Sequence, residues 1–126
     1  MKKLVVVFLI FLSFRVNSQS IVSICSWNLK DFGHTKNDTE INFIAEEVKN
    51  FDIIAIQEVV AGYGGAQAIA KLSEVLNRKG SKWDYVISDP TFSSSYKTER
   101  YAFLWKPNKV KRIQNAWLEQ KYKAQI

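Results

Sequence analysis

Asn28 and Glu58 each close a short apolar run, and an amide oxygen with a carboxylate makes a pair of hard oxygen donors. Such donors suit Mg²⁺ or Ca²⁺ and serve zinc poorly. To act on one ion, the two side chains must emerge at the same edge of a sheet. Two parallel strands joined by a crossover helix meet that demand, because the connection carries the chain back to its starting side. In open α/β sheets the carboxyl rim of the strands is where ligands bind. Taken singly, each residue has a plainer role, Asn28 in a turn and Glu58 at a solvated strand end. Spacing alone leaves both possibilities open.

The elements that would position the pair follow from composition and period. Residues 21–27 are β-branched and aromatic, which predicts a strand. Residues 30–37 are polar and contain Gly33, which predicts a loop. From Asp38 the apolar residues Ile41, Ile44, Ala45 and Val48 keep helical spacing, with Asn37 and Glu40 as a capping pair. The continuous apolar run Ile53-Ile54-Ala55-Ile56 predicts a strand covered on both faces. Residues 61–65 are glycine-rich and predict a flexible turn before a second helix that carries Ile69, Leu72 and Leu76 on one face. Arg78 and Lys79 in its last turn and Gly80 at C′ suit its end. Strands are expected at Tyr85-Val86-Ile87 and over residues 101–105, separated by a serine-rich loop around Ser93-Ser94-Ser95. A turn at Pro107-Asn108 and a weaker strand over residues 110–118 complete an α/β layered order.

With 126 residues, 47% of them apolar, 24% charged, five glycines and two prolines, the chain is neither disordered nor collagen-like. Cys25 is the single cysteine, so no internal disulfide and no thiolate metal cluster is available. Lys2-Lys3, the apolar stretch 4–14 and Val16-Asn17-Ser18 form the three-part pattern of a signal peptide cleaved before Gln19. A secreted, extracellular or periplasmic location follows, with Arg15 leaving an uncleaved anchor as the alternative. Much of the net charge of +6 lies in this leader and in residues 97–126, where Lys97, Arg100, Lys106, Lys109, Lys111, Arg112, Lys121 and Lys123 face only Glu99 and Glu119. That bias fits a polyanionic partner, or equally a solvated strand edge guarded by lysine.

Three blocks carry a resemblance: Ser26-Trp27-Asn28-Leu29-Lys30-Asp31-Phe32-Gly33, then Ile56-Gln57-Glu58-Val59, then Ser95-Tyr96-Lys97-Thr98-Glu99-Arg100-Tyr101 with Lys106-Pro107-Asn108-Lys109-Val110 after the strand. In type, order and spacing they resemble the endonuclease/exonuclease/phosphatase superfamily, and within it the deoxyribonuclease I branch. The resemblance implies one layered sheet-plus-helix half of a four-layer α/β sandwich. It implies a secreted endonuclease that hydrolyses DNA phosphodiester bonds with Mg²⁺, accompanied by Ca²⁺. By the same resemblance Asn28 lies beside metal and scissile phosphate, Glu58 binds the metal, and Glu99 orients a catalytic histidine. Tyr96 would pack on a DNA sugar in the minor groove, while Lys30 and Arg100 would contact DNA. Each has a plainer alternative: Tyr96 as a loop aromatic, Glu99 paired with Arg100 or Lys97, Tyr101 in the core.

Val60 stands where that branch has a minor-groove arginine. The branch's two histidines, Gly-Asp-x-Asn motif and Asp-His pair have no match, since the one histidine, His34, lies in the loop after the first strand. The expected organisation is a signal peptide over 1–18 and, over 19–126, the N-terminal portion of a truncated domain. Such a portion would leave one sheet face uncovered and would be inactive alone. The alternatives are an exported phosphodiesterase or phosphatase of the same superfamily, acting on a phospholipid headgroup or phosphorylated sugar, and a non-catalytic polyanion-binding fragment.

Overall fold

A computed structural model describes residues 20–92 and 98–117. The export segment, Tyr96 and its serine-rich loop, and Leu118 at the end of the last expected strand lie outside the described residues.

The elements run β1 (Ile24–Phe32), α1 (Asp38–Val48), β2 (Ile53–Val60), α2 (Tyr63–Asn77), β3 (Asp84–Ile87) and β4 (Glu99–Trp105). They form one four-stranded sheet in the order β1-β2-β4-β3. β1 and β2 are parallel, as the crossover through α1 requires, and β4 runs antiparallel to β2 and β3. Both expected helices are present. α1 opens on a reciprocal capping box: the Glu40 amide donates to Asn37 Oδ1 at 3.0 Å and the Asn37 amide donates to Glu40 Oε2 at 2.8 Å.

Both helices pack on one sheet face. Ile41, Ile44, Ala45 and Val48 of α1 and Ala68, Ile69, Leu72, Val75 and Leu76 of α2 are buried there against Ile54, Ile56, Ala102 and Leu104. The opposite face carries the alternate residues of each strand, among them Ile24, Ser26 and Asn28 of β1 and Tyr101 and Phe103 of β4. The apolar run of β2 is therefore not covered on both faces: Ile54 and Ile56 are buried while Ile53 and Ala55 are only half-buried. The described residues supply one layer of sheet and one of helix.

Far from the site, Asp52 clasps three strand ends. The Ser23 amide and hydroxyl each donate to Asp52 Oδ2 at 3.0 Å, and the Lys106 amide donates to the Asp52 carbonyl at 3.0 Å. Lys106 also places its ammonium 3.9 Å from Asp52 Oδ1 and over the Trp83 ring. These contacts set the register from which the other ends of β1, β2 and β4 are reached.

Several element boundaries differ from expectation. β1 begins later and continues through Lys30 to Phe32, because Phe32 is drawn fully into the core opposite Val59. β2 runs past Glu58 to Val60. The glycine-rich stretch is not a flexible turn, since α2 already starts at Tyr63. A Cβ on Gly65 would lie 1.9 Å from the Val60 carbonyl oxygen, so glycine is what lets the helix start directly against β2. At its other end α2 stops at Asn77, which makes Arg78 the C-cap and leaves the positive φ of 98° to Gly80. Residues 107–109 turn as expected, but residues 110–117 form no strand. That segment lies over the open face instead, with Arg112 over the Trp105 ring and Ala116 and Trp117 beside Tyr101 and Phe103.

Candidate active site

At the carboxyl end of the parallel pair both strands break their alternation. In β1 Asp31 adopts φ 51°, and in β2 Glu58 adopts φ 56°, each at a shift of register. Left-handed backbone at a non-glycine residue costs on the order of 1–3 kcal/mol and collects at functional sites. Regular alternation after Ile54 and Ile56 would send Glu58 under the helices. The bulge instead sends Val59 into the core, fully buried, and leaves the Glu58 carboxylate at the rim.

There it meets Asn28. The Asn28 amide nitrogen donates to Glu58 Oε1 at 2.7 Å, across the parallel pair in which Asn28 stands opposite Gln57. The second carboxylate oxygen of Glu58 and the amide oxygen of Asn28 take no part in this bond. Beneath them, Gln57 Nε2 donates to Ser26 Oγ at 3.0 Å, a second cross-strand bond on the same face. Composition does not announce this bond, although Ser26 precedes Asn28 by two residues and Gln57 precedes Glu58 by one.

β4 begins at this rim, with Glu99 opposite Val60 and Arg100 opposite Val59. Glu99 is half-buried, and its Oε1 accepts a hydrogen bond from the Tyr101 hydroxyl at 3.1 Å. Tyr101 is thus not a core residue but a half-buried one on the open face, and burial followed by the Glu99 carboxylate pushes its phenol above the usual value. Arg100 points to the helix side. Its Nε donates to the Ala61 carbonyl at 3.0 Å and its Nη1 to the Ser88 carbonyl at 3.1 Å, tying the loop before α2 to the loop after β3. Lys30 is exposed on the β1 bulge and lines an open cleft of about 780 Å³ with His34, Lys36, Val60 and Tyr63. His34 rests against Gly64 in that cleft. The site residues thus divide: Asn28, Glu58 and Glu99 share the rim, Lys30 flanks it, and Arg100 braces it from behind.

As a seat for a cation, the Asn28–Glu58 pair offers one carboxylate and one amide oxygen. Among the described residues no group of three His, Cys, Asp or Glu side chains could hold a metal ion. Mg²⁺ keeps several waters and is commonly bound through one or two carboxylates plus substrate phosphate, so the donor set fits such an ion.

A mixed sheet with helices on one face and a hard-oxygen pair at its carboxyl rim is an α/β fold consistent with a deoxyribonuclease I-like half. The relatives agree. The chain is 40% identical over 92 residues to Deoxyribonuclease-1 of Bos taurus, covering 71% of this chain and 32% of that protein. It is 32% identical over 101 residues to Deoxyribonuclease-1 of Homo sapiens, covering 78% and 35% of the two chains. With Deoxyribonuclease gamma of Homo sapiens the identity is 34% over 107 residues, covering 81% and 34%. The chain spans about a third of the length of these relatives. No family model matches it.

Proposed function

We propose that this chain belongs to a secreted, divalent-metal-dependent endonuclease that hydrolyses DNA phosphodiester bonds, and that it carries the metal-holding side of the site. The observation that supports this most is the Asn28–Glu58 contact of 2.7 Å, set at the rim by a strained bulge. Glu58 and Asn28 would hold Mg²⁺, with Ca²⁺ as a second ion of the same oxygen preference. When bound, the cation supplies charge neutralisation on the phosphate. Asn28 would also orient a phosphate oxygen through its amide. Glu99 would orient a general base and stabilise the charge that base acquires. His34 does not fill that role, because it lies in the Lys30 cleft against Gly64. Lys30 would meet a backbone phosphate and Tyr96 a sugar. Arg100, turned to the helix side with two loop carbonyls bound, would serve DNA binding by holding the loops that flank the rim.

The test is plasmid nicking by the whole protein with Mg²⁺ and Ca²⁺, beside the Glu58→Gln variant. The swap preserves volume and the bond from Asn28 while removing the charge. Activity should fall by at least about a hundredfold with the melting temperature unchanged. Full activity in folded Glu58→Gln protein would overturn the proposal.

A further inference from the structure

The Tyr101 hydroxyl lies on this face beside Glu99, and the proposed reaction gives it no task. Strand alternation sets Tyr101 and Glu99 two residues apart on the same face of β4, and the phenol donates to Glu99 Oε1 at 3.1 Å. Both ends of this contact are fixed. The Glu99 amide donates to Thr91 Oγ1 at 3.1 Å while the Glu99 carbonyl accepts from the Thr91 amide at 2.8 Å. The Tyr101 amide donates to Ser88 Oγ at 2.9 Å and the Tyr101 carbonyl accepts from the Ser88 amide at 2.8 Å. The ring is seated beside Ala55, Gln57 and Phe103. Arg100, the neighbouring cation in sequence, is turned to the opposite face and bound to the Ala61 and Ser88 carbonyls.

We propose that Tyr101 is a positioning residue for Glu99, a neutral donor that fixes the carboxylate while leaving its charge whole for a basic partner. The inference rests on the role given to Glu99 above. A carboxylate has about four lone-pair sites, and the phenol occupies one of them. A lysine or arginine in the same place would hold the carboxylate equally well. It would also offset the negative charge that must stabilise a protonating base. A phenol avoids this, since it remains protonated through the neutral range and its raised pKa extends that range upward.

Tyr101→Phe keeps the ring and removes only the donor. In the whole protein kcat on duplex DNA should fall about tenfold, with KM within about twofold and the melting temperature unchanged. In a Glu99→Gln background the same substitution should cost less than about twofold, because the carboxylate it serves is gone. Independently of turnover, Glu99→Gln should lower the midpoint at which one phenol ionises in the ultraviolet difference spectrum. An unchanged kcat in Tyr101→Phe beside a damaging Glu99→Gln would overturn the inference alone. So would equal losses in both backgrounds, which would mark Tyr101 as a brace for the sheet. A harmless Glu99→Gln would remove the proposed role of Glu99 and this inference with it.

Discussion

Asp52 shows how a single carboxylate can hold a site it never touches. Its bonds from the Ser23 amide and hydroxyl, helped by Lys106 and Lys109, keep its carboxyl below the usual value even though burial works against the charged form. A depressed folded pKa contributes stability that is present above the unfolded value, near 3.9, and is lost as pH falls through the folded one. Asp52→Asn should therefore lower the melting temperature at pH 7, and the difference from wild type should shrink below about pH 4. Thermal unfolding followed by circular dichroism at pH 7 and pH 3 checks this. An equal difference at both would assign the effect to geometry instead. Glu46, held down to about 2 by Lys49 and Lys79, titrates in both proteins and cancels from the comparison. At this scale the sequence shows which residue types could do chemistry, and Asn28 and Glu58 do meet as their parallel strands require. It does not show the left-handed backbone at Glu58, because no local preference for it exists in a glutamate. Nor does it show the bonds of Gln57 and Tyr101, which depend on the register between strands.

Elements with a period of their own are the ones composition describes well. α1 has the expected apolar spacing and cap, and it spans the expected residues. Strand ends are harder, because pairing partners decide them: β1 reaches Phe32 only because Val59 awaits it in β2. Residues 110–117 have strand-like composition, yet they join neither edge of the described sheet. The start of α2 is the sharpest case, since glycines there mark close approach and not looseness. Gly65→Ala would force a methyl against the Val60 carbonyl, a backbone atom with nowhere to move, while Gly62 has nothing within 4 Å of such a methyl. Gly65→Ala should destabilise by about 1–3 kcal/mol. Gly62→Ala, at the N-cap, should stay within about 0.5 kcal/mol. Denaturant unfolding separates the two, and equal effects would mean that helix propensity governs this end.

For the molecule as a whole, the uneven cover of the sheet has the largest consequence. Both helices lie on one face, and the other face exposes Ile24 at 64%, Phe103 at 44% and Trp117 at 68%. Contiguous apolar surface beyond a few hundred Å² is rare on monomers and drives association. Residues 110–117 lie over part of this face without pairing to it, and the edges of β1 and β3 have no further strand among the described residues. The chain by itself should consequently associate with rising concentration. Phe103 and Phe43 give a controlled comparison. Both are exposed phenylalanines, Phe43 at 59%, but Phe43 is on α1 while Phe103 is on the open sheet face. A lysine at either site adds the same charge and removes the same ring. If the open face drives association, Phe103→Lys should shift the chain toward monomer in sedimentation velocity, and Phe43→Lys should leave its distribution unchanged. Single apolar residues on a helix surface are common and carry little association energy. Equal shifts from the two variants would show that net charge, and not the uncovered sheet, controls association.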